Sequence, residues 1–330
     1  MKIGKVWALT TAAIAAVSGV LVLAVAGQTP QAGTRPDIPP TATGMSRQQT
    51  RFDQWKAALP ASTGPMKVTR EEPVNLAEHT VFRPADLPTT PIPIVAFANG
   101  GCRNTPIEFT AFLAELASHG YLIIAAGTND VDFATSDFQR VMPNGKPLQR
   151  VGVEVLTDAV DWAQRENARQ GSAYLGKLDV AKVAYMGQSC GGLQAIAASR
   201  DPRTTTTVVL NSFAAGADLT PVANASLPVR VQLDQLSKPV AYFIGGPQDT
   251  AYQRAEANFA EVKALPVLNA NLPVGHTGAY PSPDLRWSNA VLAWLDWRLK
   301  GDTAASRQFK GSDCGLCKDP AWTIKSKNLD

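Results

Sequence analysis

The chain has 330 residues, 45% hydrophobic and 18% charged, enough apolar material for one large domain or two small ones, which excludes disorder as the main state. Its 31 basic and 28 acidic side chains leave a net charge of +3 with no basic block, so neither nucleic acid nor an anionic membrane surface is expected as the main partner. Without Lys2 and Lys5 the balance falls from +3 to +1, so the basic excess is partly a feature of the amino terminus.

Those two lysines precede an almost wholly apolar run, Val6 to Ala26, which ends in the small-x-small tripeptide Ala24, Val25, Ala26. The pattern predicts a secretory signal peptide over residues 1–26. The same 21 residues are long enough to span a bilayer, so an uncleaved signal anchor is the alternative. Residues 27–50, rich in Pro, Thr and Gly, are expected to be a disordered leader. The rest of the chain is then secreted or periplasmic, with no membrane partner once the signal is removed. Export favours paired thiols, so Cys102, Cys190, Cys314 and Cys317 are candidates for two disulfides. CGLC has metal-like CxxC spacing, but there is no second CxxC and the histidines are only His79, His119 and His276, so no metal site is expected.

From residue 79 onward, short β-branched runs alternate with helical periodicity, the pattern of a parallel sheet flanked by helices. Strands are predicted over 79–83, 93–98, 121–126, 180–186, 207–210, 239–245 and 266–270. Helices are predicted over 107–118, 151–166, 191–199, 250–264 and 288–300. Trp294 and Trp297, three apart on the last helix, are assigned to the core. No composition break or fixed-period repeat divides the chain, so 51–310 is expected to be a single doubly wound α/β domain, with 311–330 as a carboxyl-terminal tail. Residues 211–238 lack a clear pattern and suit a short flap, too small for a large cap domain.

The chemistry concentrates at Gly187-Gln188-Ser189-Cys190-Gly191, a G-x-S-x-G sequence placed where a predicted strand turns into a predicted helix. A sharp turn there exposes the serine hydroxyl, and side chains two residues either side would collide, hence the glycines. A serine hydroxyl needs a base, and the base needs an acid to orient it. His276, just beyond strand 266–270, and Asp249, just beyond strand 239–245, lie at carboxyl ends of strands, on the edge to which Ser189 points. Asp218 and Asp234 are rivals for the acid, whereas His79 and His119 read as structural or surface histidines.

Ser, Asp and His in that order on this strand pattern resemble the α/β-hydrolase superfamily over about residues 79–300. The NGGC turn, the short flap and the closing AWLDWRLKGD are similar to secreted dienelactone-hydrolase-like and polyester-hydrolase-like serine esterases. Two departures stand out. Dienelactone hydrolases carry cysteine in the nucleophile slot, where this chain has Ser189, and polyester hydrolases carry an aromatic near the position of Cys102. The resemblance implies carboxylic-ester hydrolysis through an acyl-enzyme, with no cofactor and a monomeric chain acting on a small or polymeric ester. It also implies two oxyanion donors, the amides of Cys190 and Cys102, with Gly101 as rival for the second. Amides aimed at one oxyanion bring their α-carbons within disulfide reach, which predicts Cys102 paired with Cys190 and Cys314 with Cys317, mixed pairing staying open. Phe213, Tyr252, Tyr280 and Trp287 lie near these positions in sequence and are candidates for a substrate pocket.

The same triad serves amidases, peptidases and acyltransferases, and the scaffold also occurs as a binding module, so these stand as alternatives. If His276 is the base, ester turnover should fall on acidification through the range of an ordinary imidazole, about pH 6.5. A pH–rate profile tests this, and a rate flat from about pH 5 to 9 contradicts it.

Overall fold

The computed structural model describes residues 42–129, 151–214, 233–280 and 282–329. The chain opens with helix α1 (Ala42–Ala57), then strands β1 (Val68–Glu71), β2 (His79–Pro84) and β3 (Ile92–Ala98). Helix α2 (Thr110–Ser118), strand β4 (Leu122–Ala126) and helix α3 (Glu154–Ala168) follow. They lead to strand β5 (Leu178–Gln188), helix α4 (Cys190–Ala198) and strand β6 (Thr204–Leu210). The second half adds β7 (Val240–Ile244), α5 (Tyr252–Glu261), β8 (Val267–Asn271), α6 (Arg286–Leu295), α7 (Thr303–Ser306) and β9 (Thr323–Lys327).

The strands form one nine-stranded sheet in the order β1-β2-β4-β3-β5-β6-β7-β8-β9. Its six central strands, β4 to β8 in that order, are parallel. β1, β2 and β9 are antiparallel additions at the two edges. Buried parallel strands have no solvent face, which is why β3, β4 and β7 are buried at every position and read as unbroken apolar runs. Period-two alternation then sorts their side chains: Val95 and Phe97 face α2 and α6, while Ile94 and Ala96 face α3 and α4. α4 and α5 close the second face further along, over Val209, Tyr242 and Ile244. This is a mostly parallel α/β sheet covered on both faces.

Most predicted elements coincide with observed ones to within a few residues, and the differences have local causes. Helix 250–264 begins only at Tyr252, because Asp249 and Thr250 form the turn out of β7. The helix predicted to reach residue 300 ends as α at Leu295 and continues as a π-helical turn over Asp296–Lys300. α1 reaches back to Ala42, inside the segment assigned to a disordered leader. β1 and β9 were not expected, since their short polar sequences, VTRE and TIKSK, carry no apolar run: β1 is half-buried throughout and β9 mostly exposed, as edge strands are. The tail is therefore more than an appendage held by a disulfide. It completes the sheet beside β8 and buries Trp322 and Leu329 in the core shared with α6.

The expected signal peptide, the leader up to residue 41 and most of the 211–238 flap lie outside the described residues. Among the described residues no helix is long and apolar enough to cross a membrane. Trp294 belongs to the core as expected: it is fully buried, its indole N–H donates to Thr206 Oγ1 at 3.0 Å, and its ring meets Phe309 edge-on. Trp297 is only partly buried and stacks on Phe309. Trp294→Ala should lower the unfolding free energy by about 3–5 kcal/mol, read from the denaturant midpoint, and a loss below about 1 kcal/mol would contradict this packing role.

Candidate active site

Four neighbouring parallel strands end at one edge of the sheet, and each delivers one polar side chain to the same place. β5 ends at Gln188 and delivers Ser189, β6 delivers Asn211, the loop after β7 delivers Asp249, and the loop after β8 delivers His276. Carboxyl ends of parallel strands are where such loops converge.

Ser189 stands between β5 and α4 at φ 53°, ψ −119°, a backbone region that costs a non-glycine residue about 1–3 kcal/mol. Its strain is held from several sides: its amide donates to Leu210 O at 2.9 Å, and its carbonyl accepts from Ser212 Oγ at 2.7 Å and from the Gly192 amide. The flanking glycines are required by space. A Cβ on Gly187 would lie 2.2 Å from Gly191 O, and one on Gly191 would lie 2.1 Å from Ala98 O. Ser189 also stands at the amino end of α4, where the helix dipole favours developing negative charge.

Ser189 Oγ is 3.0 Å from His276 Nε2, and His276 Nδ1 is 2.7 Å from Asp249 Oδ1. The three side chains form one continuous hydrogen-bonded chain. Asp249 is buried, while His276 keeps 30% of its side chain exposed. Burial pushes the Asp249 carboxyl up, but it accepts four hydrogen bonds that more than offset this and hold its pKa below the usual carboxylate value. Oδ1 takes His276 and the Ala251 amide; Oδ2 takes Asn211 Nδ2 and the Gly245 amide. Gln188 ties the His276 loop to the strand that leads into Ser189 by donating from Nε2 to the His276 carbonyl at 2.9 Å.

The other acid and base candidates lie elsewhere. Asp234 is 68% exposed and pairs loosely with Arg200; Asp218 lies outside the described residues. His79 is buried with both ring nitrogens on backbone carbonyls, those of Ala77 and Val155, and His119 pairs with Glu115.

Cys102 and Cys190 form a disulfide with 5.1 Å between their α-carbons, and Cys314 pairs with Cys317. The first bridge closes a separation of 88 residues, which in the chain-entropy model stabilises by about 4–5 kcal/mol. It also ties the turn after β3 to the start of α4, beside Ser189. In that turn the Cys102 amide is engaged by Asn99 O at 3.1 Å, whereas the amides of Gly101 and Cys190 meet no acceptor among the described residues. Of the two candidates for a second free donor, the rival Gly101 is therefore the one available, not Cys102. The turn itself is anchored by Asn99 Nδ2, which donates to the carbonyls of Ala126 and Arg103.

Two of the four aromatic pocket candidates are in the core. Tyr280 and Trp287 are buried, in edge-on contact with each other, and Tyr280 also meets Phe109 and Phe112 edge-on. Apolar packing claims both rings, which position in the chain alone does not reveal. Phe213 and Tyr252 are half-buried, and Phe213 carries the Arg254 guanidinium 4.9 Å from its ring centre. Among the described residues no three His, Cys, Asp or Glu side chains cluster as metal ligands would. The residues that sequence reasoning missed are Asn211 and Gln188: an asparagine after a strand reads as a turn former, and the variable position of a G-x-S-x-G motif carries no signal of its own.

No protein-family model matches this chain, and no curated protein matches it in sequence. The arrangement can nonetheless be judged on its chemistry: a strained, accessible hydroxyl, a base on it, a buried anion behind the base, and two unengaged amides held by a covalent bridge.

Because Asp249 has a lowered pKa in the folded chain, its contribution to stability is fully present above the unfolded carboxylate value of about 4 and is lost as pH falls through the lower folded value. The stability difference between wild type and Asp249→Asn should therefore shrink as pH falls below about 4, as measured by denaturant unfolding at each pH. A difference that keeps growing below about pH 4 would contradict the assigned network.

Proposed function

We propose that this protein is an exported serine hydrolase of the α/β-hydrolase type that cleaves carboxylic esters through an acyl-enzyme. The observation that carries the reading is the unbroken Ser189–His276–Asp249 chain, presented by a strained turn at the carboxyl edge of a parallel sheet. Export is supported by the two disulfides, which persist in an oxidising compartment.

In this reading Ser189 Oγ attacks the ester carbonyl carbon while His276 Nε2 takes its proton. Asp249 holds the other imidazole nitrogen as the N–H tautomer and stabilises the imidazolium that forms. The tetrahedral oxyanion is received by the amides of Cys190 and Gly101, whose preorganisation the Cys102–Cys190 bond maintains. Collapse of the intermediate expels the alcohol, protonated by His276, and leaves the acyl group on Ser189. Water, deprotonated by His276, then attacks the acyl carbon; collapse releases the acid and restores the serine. Every proton in this cycle moves through His276, so no metal or organic cofactor is required.

A fluorophosphonate probe should form an adduct on Ser189, located by peptide mass spectrometry, and Ser189→Ala should abolish both labelling and ester turnover. Asp249→Asn should lower kcat by roughly 10⁴-fold while leaving the serine in place, because the imidazole loses the partner that fixes its tautomer. Ester turnover that survives Ser189→Ala would overturn the proposal. A folded sample that neither labels nor hydrolyses small aryl esters would point instead to a binding scaffold.

A further inference from the structure

Behind the Ser189–His276–Asp249 chain lies a second, fully buried layer. Asn211 follows the last residue of β6, is 1% exposed and sits at φ 46°, the left-handed region that asparagine tolerates better than most residues. Its backbone amide donates to Phe243 O at 2.8 Å, which pins that conformation. Its side-chain amide is fully committed. One N–H goes to Asp249 Oδ2 at 2.7 Å, the other to Gly275 O at 3.3 Å, and Oδ1 accepts the Tyr280 hydroxyl at 2.5 Å. Asn211 thus ties the acid to the loop that carries His276.

A carboxamide can place either its oxygen or its NH₂ toward a neighbour, and only the NH₂ suits a carboxylate. On the near side Asp249 Oδ2 and Gly275 O both call for the NH₂, and the group on the far side holds the oxygen in place. Tyr280 is a donor: burial, with the Asp249 charge second, holds its hydroxyl proton on far above the usual phenol range. Its ring is wedged edge-on among Phe109, Phe112 and Trp287, so the hydroxyl has little freedom to move. An O–H donor fixed against one end of the amide makes that end the oxygen and turns the NH₂ to Asp249.

We propose that Tyr280 and Asn211 are positioning residues for the triad: the Tyr280 hydroxyl sets the orientation of the Asn211 amide, and that amide holds Asp249 in register with His276. The inference rests on the hydrolytic reading for its effect on turnover, while the coupling between the three side chains stands on geometry alone. Neither residue touches the reacting atoms, so both act on kcat with little effect on KM.

The test is a double-mutant cycle with a spectroscopic readout. Tyr280→Phe deletes only the hydroxyl; Asn211→Gly deletes the amide yet permits the positive φ. Tyr280→Phe should lower kcat about 5- to 10-fold, and Asn211→Gly on the order of 10- to 100-fold, as expected for losing a neutral and a charge-assisted hydrogen bond. The double variant should match Asn211→Gly alone, because the hydroxyl spends its hydrogen bond on the amide and makes none to Asp249. In parallel, the low-field proton resonance of the His276–Asp249 hydrogen bond, assigned by its loss in Asp249→Asn, should move in Tyr280→Phe whether or not the protein turns over an ester. Additive kcat losses, or an unmoved resonance in a Tyr280→Phe variant that melts like wild type, overturn the proposal. If Asn211→Gly does not fold, Tyr280→Phe and its resonance decide the matter alone. No Ser189 labelling of wild type, together with a resonance that shifts in Tyr280→Phe, would defeat the hydrolytic reading and leave the positioning network standing.

Discussion

A carboxylate taken fully out of water is the constraint around which this sheet edge is organised. Stripping solvent from an ionised carboxyl costs several kcal/mol unless its lone pairs are otherwise occupied. The Asp249 side chain has no exposed surface, and its four donors come from four separate places: His276 beyond β8, Asn211 beyond β6, Gly245 at the end of β7, and Ala251 at the approach to α5. None of these is close to all the others in sequence. The anion is therefore satisfied only when β6, β7 and β8 are paired in register and their loops have closed. A site whose parts are stable only together resists small displacements, which is the property an acid that must hold one imidazole tautomer needs.

The nucleophile turn answers to a different constraint, one of space. Between β5 and α4 the chain reverses through a single residue in an unfavourable region, and the backbone of β3 and that of α4 both approach within contact of the reversal. Only glycine fits at 187 and 191, so the motif is a steric statement before it is a chemical one. The disulfide extends the same economy of space. Cys102 and Cys190 occupy positions whose α-carbons are 5.1 Å apart because both belong to loops pressed against Ser189. The bond then converts that proximity into permanent alignment of the amides on either side.

What could be read in the sequence follows from these two constraints. Ser189, Asp249 and His276 were legible because each falls just beyond an apolar strand, in a turn where a titratable side chain has no packing reason to be. The parallel core was legible because strands buried on both faces are written almost entirely in apolar residues. The edge strands were not: β9, at the margin with side chains mostly in water, looks in sequence like any polar tail. Asn211 was missed, and Tyr280 was offered as a pocket candidate, for a related reason. An asparagine after a strand reads as an ordinary turn residue, and an aromatic four residues past His276 is as plausible in a pocket as in a core. Their proposed roles exist only as a three-body arrangement with Asp249, and no pairwise spacing in the chain encodes it.

Local hydrogen bonding also leaves the amides of Gly101 and Cys190 as the proposed donors. Asn99 O draws the Cys102 amide back into its own turn, and the Asn99 side chain fixes that turn to β4 through Ala126 O. A loop whose backbone hydrogen bonds are already made cannot easily turn a bonded amide outward, since the freed carbonyl would be left without its partner. Gly101, at φ 64°, sits at the crest of the turn, where its amide is released from the local pattern. The proposed oxyanion donors are thus the two amides that local structure leaves unspent: one at a helix start, which has no residue four back in the helix to accept it, and one at a glycine crest. The disulfide joins the residue next to the second donor with the residue that supplies the first. In the proposed chemistry the bridge therefore acts on the spacing between the two donors, which is the quantity a tetrahedral oxyanion samples.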